Sequence, residues 1–202
     1  MKTPRIKNLS LQEYLNYAME NAKKTPHEDQ ITEGTASMQD VLEDLIDEVE
    51  YPSFNNRLGR YLQRNHRVIK PFESGIHRQL FESQITDKNC SDSNYMAAIY
   101  LLTSEENTWR SVREYVSKQG IKYDLVDPIP SDDGYTLFQL AKDITQGTKH
   151  ATLADIVSST TIKPQMFLVI CKAIAISRYG VGAVGIKPRN PREEVVIFKL
   201  VK

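Results

Sequence analysis

The sequence is poor in most of the residues and patterns that mark chemistry. It has two cysteines, Cys90 and Cys171, among 202 residues, and they form no paired-ligand motif. Its four histidines, His27, His66, His77 and His150, are scattered. None has a second His or Cys at i+2 or i+4, so no metal site and no cofactor is expected. Neither sign of charge is in excess, with 26 Lys plus Arg against 26 Asp plus Glu. That balance removes the simplest argument for non-specific nucleic-acid binding, which needs surplus positive charge. The longest apolar run, around 166–176, is interrupted by Lys172 and falls short of the ~20 residues of a membrane span. Met1 to Ser10 has no apolar core of signal-peptide length. These absences make the cytoplasm, with reduced thiols, the expected compartment. There is no internal repeat and no low-complexity tract.

What is present is helical patterning. The chain is 40% hydrophobic and 26% charged, ordinary for a folded domain. Ser10-Leu-Gln-Glu13 is a capping box that opens a helix running to about Lys24. Residues 25–36, with Pro26 and Gly34, read as a loop. Met38, Val41, Leu42, Leu45, Ile46 and Val49 then fall on one helical face. Asp40, Glu43, Asp44, Asp47 and Glu48 are assigned to the other, and Pro52 is expected to stop the helix. The next segment, about 54–66, is apolar at Phe54, Leu58, Tyr61 and Leu62. Arg57, Arg60, Arg64 and Arg67 recur at a spacing that keeps them on one side. An acidic helix is thus followed by a basic one. Either the two pack as an antiparallel pair with rim charges facing each other, or the stripes meet a partner.

Past a break at residues 67–74, a helix is expected at about 74–85. The block from Ser91 to Gly180 is the most apolar part of the chain. Tyr95 to Leu102 and Met166 to Ile176 are apolar nearly all round, and such helices must be covered on most sides. The hydroxyls of Tyr95 and Tyr100 are expected to find partners at the margins of their helix. Thr103-Ser-Glu-Glu106 matches a second capping box, opening a helix through Val116 with Gly120 past its end. Ile121 to Pro130 is extended in character. A helix over 133–146, a short one capped by Thr152, and a long one framed by Pro164 and Gly180 complete the block. Val195 to Val201 reads as a strand, paired either with Val181–Ile186 in a hairpin or with Ile121–Val126. The fold class is therefore mainly α: a multi-helix orthogonal bundle with a short C-terminal β-hairpin or strand. The division follows as 1–70, 71–180 and 181–202, the last able to pack on the core as part of one domain.

Gly180-Val-Gly-Ala-Val-Gly185 matches G-x-G-x-x-G in letters. The dinucleotide-binding motif requires a strand before it and a helix after it. Here a helix precedes and Lys-Pro-Arg-Asn-Pro follows, so the glycines read as a helix cap and a flexible or edge-strand segment. His77, near Glu73 and Glu82, reads as a surface or cap histidine ahead of a general base. Cys171 reads as a small hydrophobe. An enzyme would have to assemble its site from distant residues such as His77, Cys90 or Asp133.

Leu80-Phe81, Tyr95 to Thr103, Trp109, Asp133 to Leu137 with Ala141, Thr152 to Asp155, and Phe167 to Ala173 together resemble an uncharacterised family of small helical proteins. That family occurs in Gram-positive bacteria and their mobile elements. The likeness spans about half the chain. It implies a helical fold and a bacterial or phage-like origin, and brings no activity. The expected function is a non-enzymatic interaction protein. Its candidate surface is Arg57, Arg60, Arg64 and Arg67 with Asp40, Glu43, Asp44 and Asp47. A protein partner is expected; nucleic acid on the arginine stripe is the alternative, and a homodimer through 194–201 a further one. No membrane association is expected.

Overall fold

The computed structural model describes residues 6–64, 68–86 and 89–187. Among these the protein is mainly helical, with ten α-helices and one two-stranded antiparallel hairpin. In chain order the helices are α1 (Leu11–Glu20), α2 (Glu28–Thr32), α3 (Met38–Glu48), α4 (Pro52–Arg64), α5 (Gly75–Ser83), α6 (Ser93–Thr103), α7 (Glu106–Val112), α8 (Asp132–Gln146), α9 (Leu153–Val157) and α10 (Pro164–Tyr179). The hairpin pairs β1 (Val116–Ser117) with β2 (Gly120–Ile121).

The two apolar helices are covered as their composition demands. Helix α6 packs most extensively on α8 and α10, with α5 and α7 adding further cover. Helix α10 is wrapped by α6, α3, α1, α2 and the turn after its own end. Every α6 residue from Tyr95 to Thr103 is buried. Each fully buried aliphatic side chain there contributes ~1.5–3 kcal/mol, so this core outweighs any surface ion pair at ~0–1 kcal/mol. The hydroxyls of Tyr95 and Tyr100 donate to Ser117 O at 3.1 Å and Pro71 O at 2.5 Å. The apolar core runs without a break from Leu11 to Val184. Helix α1 packs on α8 and α10, so the core crosses residue 71.

Helix starts follow local chemistry. Ser10, Ser37 and Thr152 form full capping boxes with Glu13, Asp40 and Asp155. The box expected at Thr103 does not form. Thr103 ends α6 and donates its hydroxyl to Ile99 O at 2.7 Å. Glu105 caps α7 instead, accepting from the Thr108 amide at 3.2 Å. The same Glu105 oxygen accepts from the Ser131 hydroxyl at 3.3 Å, and Ser131 caps α8. One carboxylate thus sits at two helix starts.

Several boundaries differ from the sequence expectations. Helix α1 ends at Glu20, and the 25–36 loop contains α2. Pro52 opens α4 rather than only ending α3, because its fixed φ and missing N–H suit a first helical position. Helix α7 gives way at Val112 to a 3-10 turn and then β1, with Gly120 inside β2. Val181–Ile186 is not a hairpin strand. Val181–Val184 forms a buried 3-10 turn against α2 and α10. The G-x-G-x-x-G letters are explained there. Gly180 and Gly185 have φ of 76° and 74°, and a Cβ on Gly182 would collide with Ile31 O and Thr32 O. The expected strand at 195–201, the dimer surface at 194–201 and Arg67 lie outside the described residues.

Candidate functional site

Helix α4 carries the arginines. Phe54 and Leu58 anchor it in the core, and Phe54 meets Phe167 of α10 edge-on at 5.4 Å. The flank beside that face projects Arg57, Arg60 and Arg64 toward the chain between α9 and α10. Together they wall a groove of about 450 Å³. Its remaining lining among the described residues is Tyr61, Val157, Ser159, Phe167 and the first turn of α10, Pro164 and Gln165, with no carboxylate among them.

Arg57 is half-buried at the base. It donates to Ile156 O at 2.9 Å and to Ile162 O, and its guanidinium carbon lies 4.2 Å from the Phe167 ring centroid. All three contacts are to neutral groups. Burial, with the charge of Arg60 adding to it, pulls its pKa below the ordinary value; guanidinium still stays charged. Arg60 is exposed and donates to Asn56 O within its own helix. Arg64 is exposed at the helix end. Beside them, burial and the nearby Glu73 push the Tyr61 phenol up.

The acidic stripe of α3 behaves differently. Asp44 is 1% exposed, so it is not a surface residue. It accepts from the His27 amide at 2.9 Å and from the His27 ring at 2.8 Å. Asp40 closes the Ser37 capping box, and that hydroxyl holds its carboxyl below the ordinary range. Glu48 pairs with Arg178 of α10 at 2.5 Å and accepts from Tyr179 at 3.0 Å. Glu43 and Asp47 remain exposed. Among the described residues no ion pair joins α3 to α4, so the rim pairing, one of the two alternatives, is absent there. Arg57 instead turns toward α9 and α10.

Of the residues considered for catalysis, His77 and Asp133 have separate, structural partners. His77 is 1% exposed, a core histidine rather than a surface or cap one. Its Nδ1 accepts from the Glu73 amide at 3.3 Å, so Nε2 carries the proton and donates to Tyr100 O at 3.2 Å. Burial pushes its pKa down to about 4. Asp133 binds Lys163 at 2.8 Å. Cys90 is half-buried. Cys171 is fully buried in α10, and burial raises its thiol pKa. Among the described residues no three His, Cys, Asp or Glu side chains gather as a metal-holding group. No described helix is long and apolar enough to cross a membrane.

Two arrangements escape sequence reading. Asp143 of α8, 0% exposed, accepts from the His150 amide and ring and from the Ala151 amide. Asp44 and His27 repeat that pattern. Lys172, 2% exposed, is neutralised by Glu73 at 2.5 Å. No family model, curated protein or solved structure matches the chain.

Proposed function

We propose that this protein is a non-enzymatic binding protein that holds an acidic segment of a partner protein in the arginine groove. The observation that carries the reading is Arg57. A half-buried guanidinium that donates to backbone carbonyls and lies over a ring keeps its full positive charge, with no counter-ion among the described residues. Arg60 and Arg64 add two exposed cations to the same groove, and none of its described lining residues is acidic. Planar, multi-donor guanidinium groups suit carboxylate and phosphate alike. The acidic half of the candidate surface has shrunk to Glu43 and Asp47. The loose likeness over residues 77–180 supports a bacterial or mobile-element setting, and a cytoplasmic one follows from the same reading.

Fluorescence anisotropy with a labelled glutamate decamer tests it. The expected result is saturable binding that weakens as salt rises and drops at least tenfold in Arg60→Glu/Arg64→Glu. Equal binding by both proteins, or none by either, overturns it. Nucleic acid on the same arginines is the second reading. It would need the basic track to extend well beyond the groove, since each neutralised phosphate adds to the salt dependence. A labelled single-stranded oligonucleotide that binds more tightly than the decamer would favour it.

A further inference from the structure

Resting on that reading of the groove, we propose that the anion it selects is a phosphoryl group carried on a partner's side chain, so that the occupant is a phosphorylated peptide. Three features of the groove point beyond a plain carboxylate. The first is the amount of charge. Arg60 and Arg64 are both exposed, neither faces an acidic side chain among the groove's described residues, and Arg57 lies behind them. A phosphoryl group carries about −1.5 to −2 near neutral pH and three acceptor oxygens, which matches two guanidinium forks better than one carboxylate does.

The second feature is the open start of α10, the longest described helix. Its cap residue, Lys163, offers no side-chain hydrogen bond, and Pro164 has no N–H. The first amide with a backbone acceptor is that of Phe167, bonded to Lys163 O at 2.9 Å. The amides of Gln165 and Met166 are thus left without intrahelical acceptors. Seven other helices close their starts with a side-chain oxygen. Here Pro164 and Gln165 line the groove instead, so the partial positive charge of the helix end, about +0.5, adds to that of the arginines.

The third is size and lining. About 450 Å³ exceeds what one anion fills and falls within the ~300–1,000 Å³ typical of organic ligands. Tyr61, Val157 and Phe167 offer apolar wall for the chain that bears the phosphate. A peptide is favoured over a nucleic acid because the cations form one cluster in a chain of zero net charge.

Calorimetry at pH 7.5 with a pentapeptide of alanines around a central phosphoserine, the same peptide with glutamate, and a dT pentamer provides the test. The phosphopeptide should bind at least tenfold more tightly than the glutamate peptide. That preference should shrink below pH ~6, where phosphoserine takes up its second proton. In amide spectra the Gln165 and Met166 signals should move on titration. Arg60→Lys/Arg64→Lys should retain glutamate binding and lose the preference, since lysine keeps the charge and loses the fork. Equal affinity for the two peptides overturns the phosphoryl inference and leaves the acidic-segment reading standing. No binding of either peptide overturns the phosphoryl inference, and the glutamate decamer then decides whether the acidic-segment reading stands. Tighter binding of the dT pentamer than of the phosphopeptide overturns the peptide assignment in favour of nucleic acid.

Discussion

Helices α3 and α4 are neighbours in the chain and in space, and each carries a stripe of one sign of charge. In α3, the carboxylates at the border of the apolar face are taken up by the fold: Asp44 by His27, Glu48 by Arg178, Asp40 by its own helix start. In α4, among the described residues, Arg57 and Arg60 donate to neutral groups, and Arg60 and Arg64 stay open to solvent. The difference teaches that a charged face should be judged by what neutralises it. A charge matched within the fold, as at Asp44 and Glu48, is architecture. A stripe left unmatched around a concavity is available to something else.

The contrast can be broken at its strongest point first. Asp44→Ala removes two hydrogen bonds to a buried carboxylate, each contributing ~1.5 kcal/mol or more, and should lower stability to chemical denaturation by about 3 kcal/mol. Glu48→Ala should cost less, about 2 kcal/mol, because Arg178 keeps Glu28 at 3.7 Å. A change under ~0.5 kcal/mol in both variants would make the α3 charges surface decoration after all.

The His27–Asp44 pair also gives a pH signature. The hydrogen bond to Asp44 raises the His27 pKa above its ordinary 6.5. Its contribution is therefore complete below pH 6.5 and fades as pH rises through the folded-state value. Denaturation midpoints across pH 6–9 should show that decline in the wild type and lose it in His27→Gln. His77 has the opposite sign. Burial depresses it to about 4, so stability falls as pH drops from 6.5 toward 4, and that loss should persist in His27→Gln. The smallest effect belongs to α4: Arg60→Ala/Arg64→Ala should shift stability by no more than ~0.5 kcal/mol, although the proposed binding rests on the same pair.

Much of the helical framework was legible because it rests on local rules. The boxes at Ser10 and Thr152, the Pro164 start and Gly180 end of α10, and the all-round apolarity of α6 each have a near-neighbour cause. Two signals misled. Thr103 matched a box in letters, but its hydroxyl turned back to Ile99 and Glu105 took the cap. Val181–Ile186 had strand composition, yet close approach of Gly182 to α2 demanded a tight turn. The groove was half legible. The spacing of Arg57, Arg60 and Arg64 on one side was readable along α4. Their meeting with Pro164 and Gln165, about 100 positions away in sequence, depends on tertiary packing that no local pattern encodes. Asp44 and Glu48 lie three residues beyond Val41 and Leu45, at the border of the apolar stripe, and that position was the available hint of their burial.

Glu105 has a consequence of another kind. Its one oxygen serves the Thr108 amide of α7 and, through Ser131, the Gly134 amide of α8. The space around it is so tight that a Cβ on Gly134 would strike Glu105 and Thr108. Two helices whose starts lie 26 residues apart in sequence therefore begin at a shared atom, and neither can fray alone without disturbing the other. The intervening chain, with β1 and β2, is a loop fastened at both ends to one knot, so its opening is tied to the unwinding of both helices at once.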